Sequence, residues 1–98
     1  MTINKEKNGK EMLVKVEGRL DTTTAPELDK SLEGEFADID KLVFDFDGLE
    51  YLSSAGLRSL LSAQKKMAEH GSMVIRNVKE MINEIFEVTG FSDILTIE

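Results

Sequence analysis

The sequence predicts an α/β domain ordered ββαβαβαβ: a mostly parallel mixed sheet, opened by an N-terminal β-hairpin, with helices packed against it. Three observations carry this. Short runs rich in β-branched and aromatic residues alternate with longer stretches whose apolar residues recur at helical spacing. Glycines or asparagines punctuate most junctions between the two kinds of segment. The chain has 98 residues, 41% hydrophobic and 32% charged, enough for one hydrophobic core and too few for a second, so residues 1–98 read as a single domain.

Asn8-Gly9 is a two-residue hairpin signal, since both residues tolerate positive φ, and it should join a short first strand to a second. That second strand, Met12 to Glu17, alternates Met12, Val14 and Val16 against Leu13, Lys15 and Glu17, the pattern of a strand near an edge with one buried face; Gly18 and Arg19 should end it. Thr24 and Glu27 have capping-box spacing and Pro26 lies in the first turn, so a helix is expected there, with Ala25, Leu28 and Leu32 inside and Gly34 at its end. Lys41 to Phe46 reads as a central strand. From Ala55 to Glu69, Leu57, Leu60, Leu61 and Met67 define a second helix that stops near His70-Gly71. Met73 to Arg76 is a fourth strand. Asn77 is placed to cap a third helix with Glu80 three residues on, a buried stripe of Met81, Ile82, Ile85 and Phe86, and Gly90 as its stop; Ile94 to Ile97 would be the last strand.

Composition excludes several function classes. Nineteen acidic against twelve basic residues give a formal charge of -7, which opposes direct binding to nucleic acid and to anionic lipid. No apolar run approaches the roughly 20 residues that cross a bilayer, so no membrane insertion is expected. There is no cysteine, and the charged N-terminus leads into no apolar stretch of a signal peptide, which points to a cytoplasmic setting. His70 precedes a glycine at a helix end and reads as a partner of the helix dipole rather than a catalytic base. Asp38, Asp40, Asp45 and Asp47 read as a solvated face. With no Gly-rich phosphate loop, nucleophile elbow or metal-ligand cluster, neither cofactor, metal nor enzymatic activity is expected.

The informative stretch is Tyr51-Leu52-Ser53-Ser54-Ala55-Gly56-Leu57, where a helix starts immediately after two serines. The Ser54 hydroxyl then faces the unpaired N–H groups of a first helical turn, a place suited to an anion; the plainer account makes Ser54 a helix N-cap and nothing more. Gly56 costs roughly 1 kcal/mol relative to alanine in a helix, which implies that small volume matters there, for instance for close approach by another molecule.

These residues resemble the phosphorylation-site loop of STAS domains, the fold of anti-sigma factor antagonists. The resemblance extends to Gly18-Arg19-Leu20-Asp21, similar to the family's Gly-x-Leu-Asp element, to Phe44-Asp45-Phe46, and to Phe86-Glu87-Val88-Thr89-Gly90-Phe91. It implies phosphorylation two residues before the glycine, which is Ser54 here, with Ser53 the second choice. Two departures stand out: family members often carry Asp at the position of Ser53, and Ser or Thr at that of Ala55.

The resemblance further implies a partner cycle. The unphosphorylated protein would bind an anti-sigma factor serine kinase and so release a sigma factor; the kinase would phosphorylate the domain and lose it, and a serine phosphatase would reset it. The partner-binding surface would comprise Asp21, Thr22, Ser53, Ser54, Gly56, Leu57 and Arg58, although Asp21 reads equally as a turn acid before Thr24, and Leu57 equally as core. An alternative is a stand-alone STAS subunit of a lipid-transport ABC complex or a stress-signalling assembly, docking through the same helix without phosphorylation. A weak homodimer stays open.

Overall fold

The hairpin turns one residue later than Asn8-Gly9 suggests. The computed structural model describes residues 1–98, and in it β1 (Thr2–Asn8) pairs antiparallel with β2 (Glu11–Leu20) with Asn8 opposite Glu11, so the central residues are Gly9 and Lys10. Of the two, only Gly9 has positive φ, 65°, the pattern of a type II′ turn with glycine first.

β2 is longer than its alternating part. Met12, Val14 and Val16 point into the core as expected, yet Gly18 does not stop the strand. It adopts φ 93°, its N–H donates to the Gly48 carbonyl (2.9 Å), and Arg19 and Leu20 continue in strand geometry past a register shift at which Glu50 has no residue opposite it. β2 is the second strand from the edge: β1 covers it on the outer side, and β3 (Lys41–Asp45) pairs with it in parallel on the other. Past the end of β3 a short β4 (Leu49–Leu52), unread in the sequence, pairs with residues 18–20, also parallel. β5 (Ser72–Arg76) closes the far edge beside β3.

Helices α1 (Ala25–Leu32), α2 (Ser54–Ala68) and α3 (Glu80–Thr89) contribute Leu28, Leu57, Leu60, Ile82 and Phe86 to the one core cluster that Val14, Leu42, Phe44 and Ile75 enter from the sheet. Across the opposite sheet face run Leu13, Val43 and Val74 in register, bordered by the row Lys15, Asp45 and Arg76.

Four further expectations are corrected. Thr24 makes no cap hydrogen bond to α1, because its hydroxyl is turned back toward β2. Lys79, not Asn77, occupies the N-cap position of α3 and makes no side-chain cap bond; Asn77 adopts φ 57° and its side-chain amide donates to Asp45 Oδ1 at 3.0 Å. Met81 is 57% exposed, so the stripe of α3 is Ile82 and Phe86, with Ile85 half-buried. The last strand reduces to one bridge, Ile75 with Ile97, because Phe91–Asp93 coil into a 3-10 turn. His70 also serves differently: its Nε2 lies 2.8 Å from the Phe36 carbonyl and 3.0 Å from that of Ile39, and two acceptors require the protonated nitrogen there, tying the α2 exit to the loop before β3.

Candidate functional site

Two parallel strands end together and create the site. Leu20 of β2 lies opposite Leu52 of β4, so the segments that follow them, Asp21–Thr24 and Ser53–Ser54, leave the sheet side by side. The Ser53 N–H donates to the Leu20 carbonyl at 2.9 Å and holds the two exits in register.

The cap role falls on Ser53. Its backbone is extended (φ -96°, ψ 175°) and its Oγ accepts the Gly56 N–H at 3.4 Å, while its carbonyl accepts the Leu57 N–H at 3.0 Å. Ser54 is thereby the first residue of α2, exposed, with its hydroxyl committed to no partner in the chain. The N–H groups of that turn have no intrahelical acceptors and mark the positive end of a helix of 15 residues.

Gly56 is small for an internal reason. A Cβ there would sit 2.6 Å from Leu52 Cδ1, 2.8 Å from Leu20 Cγ and 3.0 Å from the Leu20 carbonyl oxygen, so the residue lets α2 rest directly on the ends of β2 and β4. The molecule that approaches Gly56 is the protein's own sheet. Leu57, weighed as docking residue or core, is core at 6% exposure. Both support Ser54 from below.

Asp21 organises the neighbouring turn. Its Oδ1 accepts from the Thr23 N–H (3.0 Å), the Thr23 hydroxyl (2.8 Å) and the Thr24 N–H (3.1 Å). Thr24 Oγ1 in turn accepts the Asp21 N–H and donates to the Arg19 carbonyl, each at 2.8 Å. The Thr23 hydroxyl, then the Thr24 N–H, hold the Asp21 carboxyl below the ordinary carboxylate range, since donors favour the ionised form. Arg19 Nε stands 3.7 Å from Asp21 Oδ2 and its guanidinium lies over the Tyr51 ring, 4.2 Å from the centroid. Arg19 and Tyr51 thus brace the turn against β4. Sequence reading missed this pair, since it depends on a strand pairing that no periodicity announces.

Thr22 and Arg58 come together as lining of one shallow cleft between the starts of α1 and α2, with Ala25, Pro26, Asp29 and Ala55. Both are exposed. Of the seven residues singled out, Thr22, Ser54 and Arg58 offer accessible side chains, Asp21 and Ser53 are half-buried and engaged locally, and Gly56 and Leu57 lie beneath. No cluster of histidine, cysteine or carboxylate side chains suited to a metal ion is present. No helix is long and apolar enough to cross a membrane.

A mixed five-stranded sheet that seats a helix on the joined ends of two parallel strands defines a small α/β domain of a known kind. Residues 2–98 match the STAS domain model, and the chain belongs to the STAS domain family. It is 32% identical over 87 residues to BtrV of Bordetella bronchiseptica, which carries the name of an anti-sigma factor antagonist; the match spans 84% of this chain and 72% of that one. It is 29% identical over 86 residues to the anti-sigma-B factor antagonist of Staphylococcus aureus, spanning 86% of this chain and 80% of that one. An anti-sigma factor antagonist from Mycobacterium paratuberculosis superposes with a TM-score of 0.88 at 25% identity, covering 98% of this chain and 83% of that one. Unphosphorylated SpoIIAA, at 14% identity and covering 99% of this chain and 87% of that one, shares the fold with a TM-score of 0.80.

Proposed function

We propose that this chain is an anti-sigma factor antagonist that docks on an anti-sigma factor serine kinase through the surface around Ser54, and that phosphorylation of Ser54 ends the docking. The observation that carries this reading is the position of Ser54: exposed, at the first residue of α2, with its hydroxyl free because Ser53 has taken the cap. The names carried by the Bordetella and Staphylococcus relatives support the partner class.

Phosphorylation of Ser54 adds close to two negative charges at a helix N-terminus, which accepts an anion without unfolding the domain. The interface changes instead, because docking must now desolvate that dianion. An unpaired charge buried at an interface costs on the order of 2 to 5 kcal/mol, which weakens binding roughly 30-fold to several thousandfold. Ser53, half-buried and occupied with Gly56, is the poorer acceptor. A serine phosphatase would reset the switch in the cytoplasm. In this account the domain works by binding and catalyses nothing.

The test is incubation with the candidate anti-sigma kinases of the same organism and ATP, with the modified residue located by mass spectrometry and kinase binding compared for Ser54→Ala and Ser54→Asp. One phosphate on Ser54, tight binding by the alanine form and poor binding by the aspartate form are expected. Equal affinities of the two variants, or no phosphate on Ser54, would overturn the reading.

A further inference from the structure

We infer that the outer face of α3 is a second docking surface, independent of Ser54, for a partner helix whose apolar stripe is flanked by lysine or arginine. Exposed large apolar side chains are concentrated in one region of this protein. Met81 is 57% and Val88 87% exposed, and Ile85 between them is half-buried, so the three form a stripe with i, i+4, i+7 spacing on one side of α3. Ile94, also exposed, follows in the turn that packs against the same helix. Isolated apolar residues on a surface need no explanation, but a helical stripe of them beside a groove marks an interaction site. Ile82 and Phe86, on the inner side, anchor α3 to the core and Ile85 packs against its edge, so the fold has no use for Met81 and Val88.

The chemistry of the groove decides its occupant. Met81, Glu84, Ile85, Val88 and Thr89 line it. The Thr89 hydroxyl is spent on the Ile85 carbonyl (2.6 Å), which leaves the Glu84 carboxylate as the only charged group in the lining. Glu80, Glu84 and Glu87 are exposed along the same helix, and none belongs to an ion pair of the chain. A second copy would bring the same carboxylates against them, and like charges across an interface are repulsive. An apolar stripe with cations beside it satisfies both features at once: its side chains cover Met81, Ile85 and Val88 while its cations meet Glu84 and its neighbours.

Two synthetic amphipathic helices test this, sharing one leucine stripe at i, i+4 and i+7 spacing and differing only in lysine or glutamate flanks. Titrated into the full chain, the lysine peptide should perturb amide resonances along α3, bind more weakly as salt is raised, and bind roughly tenfold better than the glutamate peptide, equivalent to about 1.4 kcal/mol. Glu84→Lys should invert that preference. Met81→Ser with Val88→Ser should abolish binding of both peptides while circular dichroism reports an intact fold, since neither side chain is in the core. Equal binding of the two peptides, binding that survives the double substitution, or self-association of the free chain through α3 in sedimentation would overturn the inference.

Discussion

Replacing Gly56 with alanine separates two accounts of why a glycine occupies the first turn of α2. If the space above it were kept open for a partner, alanine would stabilise the free domain by about 1 kcal/mol through helix propensity and harm only binding. The structure gives the opposite sign. The new Cβ would fall 2.6 Å from Leu52 Cδ1 and 2.8 Å from Leu20 Cγ, and both leucines are buried, so neither can swing aside without displacing other core side chains. It would also press at 3.0 Å on the Leu20 carbonyl oxygen, which accepts the Ser53 N–H and aligns the two strand exits. Overpacking of this kind costs about 1–3 kcal/mol; with two carbon contacts well inside van der Waals distance, the upper half applies. After the propensity gain is subtracted, a net loss of about 1–2 kcal/mol remains, which for a domain of this size lowers Tm by about 5–15 °C. Thermal and urea melts followed by circular dichroism measure it, and hydrogen exchange at the Ser53 amide should accelerate relative to β3. A Gly56→Ala variant as stable as the wild type, or more so, would refute the packing argument.

Phe86→Ala empties a fully buried site and should cost about 3–5 kcal/mol, a large share of a small domain's stability, whereas Val88→Ala on the opposite side of α3 should stay within about 0.5 kcal/mol; paired urea midpoints check the contrast. Ser54→Asp should raise stability by about 0.3–1 kcal/mol at low salt, because the acid faces the positive end of α2, and the gain should shrink as ionic strength rises. The Asp21 carboxyl is held below its ordinary range in the folded chain, so its ionised form stabilises the fold above the unfolded-state pKa, and that contribution disappears as pH falls through the lower, folded-state value. Urea midpoints measured from neutral pH down to about pH 3 should therefore fall less steeply for Asp21→Asn than for the wild type; parallel curves would exclude Asp21 as a source of the acid sensitivity. His70→Ala should cost about 1 kcal/mol by releasing the Phe36 and Ile39 carbonyls, read out as faster exchange in the loop before β3.

Much of the architecture is written in local pattern. The alternation of Met12, Val14 and Val16, the stripe Ala25, Leu28 and Leu32, and Leu57, Leu60 and Met67 each state which face is apolar, and burial follows that statement because a half-apolar element has one low-energy way to meet a core. Gly90 likewise ends α3 at φ 82°, where a residue without a Cβ is strongly favoured. Ser54 was legible as well, since two serines ahead of a helical run place a hydroxyl at its first turn.

Other features depend on partners distant in sequence. Leu49–Leu52 is only four residues long, buried at its two ends, and is a strand because β3 pairs only with residues 11–15 of β2 and leaves residues 18–20 open to it. Thr24 was expected to cap the helix it precedes, yet the Arg19 carbonyl and Asp21 N–H offered its hydroxyl a closer pairing. Ile94 to Ile97 reads as a strand, yet Ile94 follows directly on the 3-10 turn Phe91–Asp93 and Ile97 alone bridges β5. Which serine caps and which stays free, and whether Gly56 faces outward or inward, are settled where β2, β4 and α2 converge. Periodicity along a chain encodes burial, but a hydrogen bond or a steric gap belongs to two segments at once, and only their meeting in space decides it.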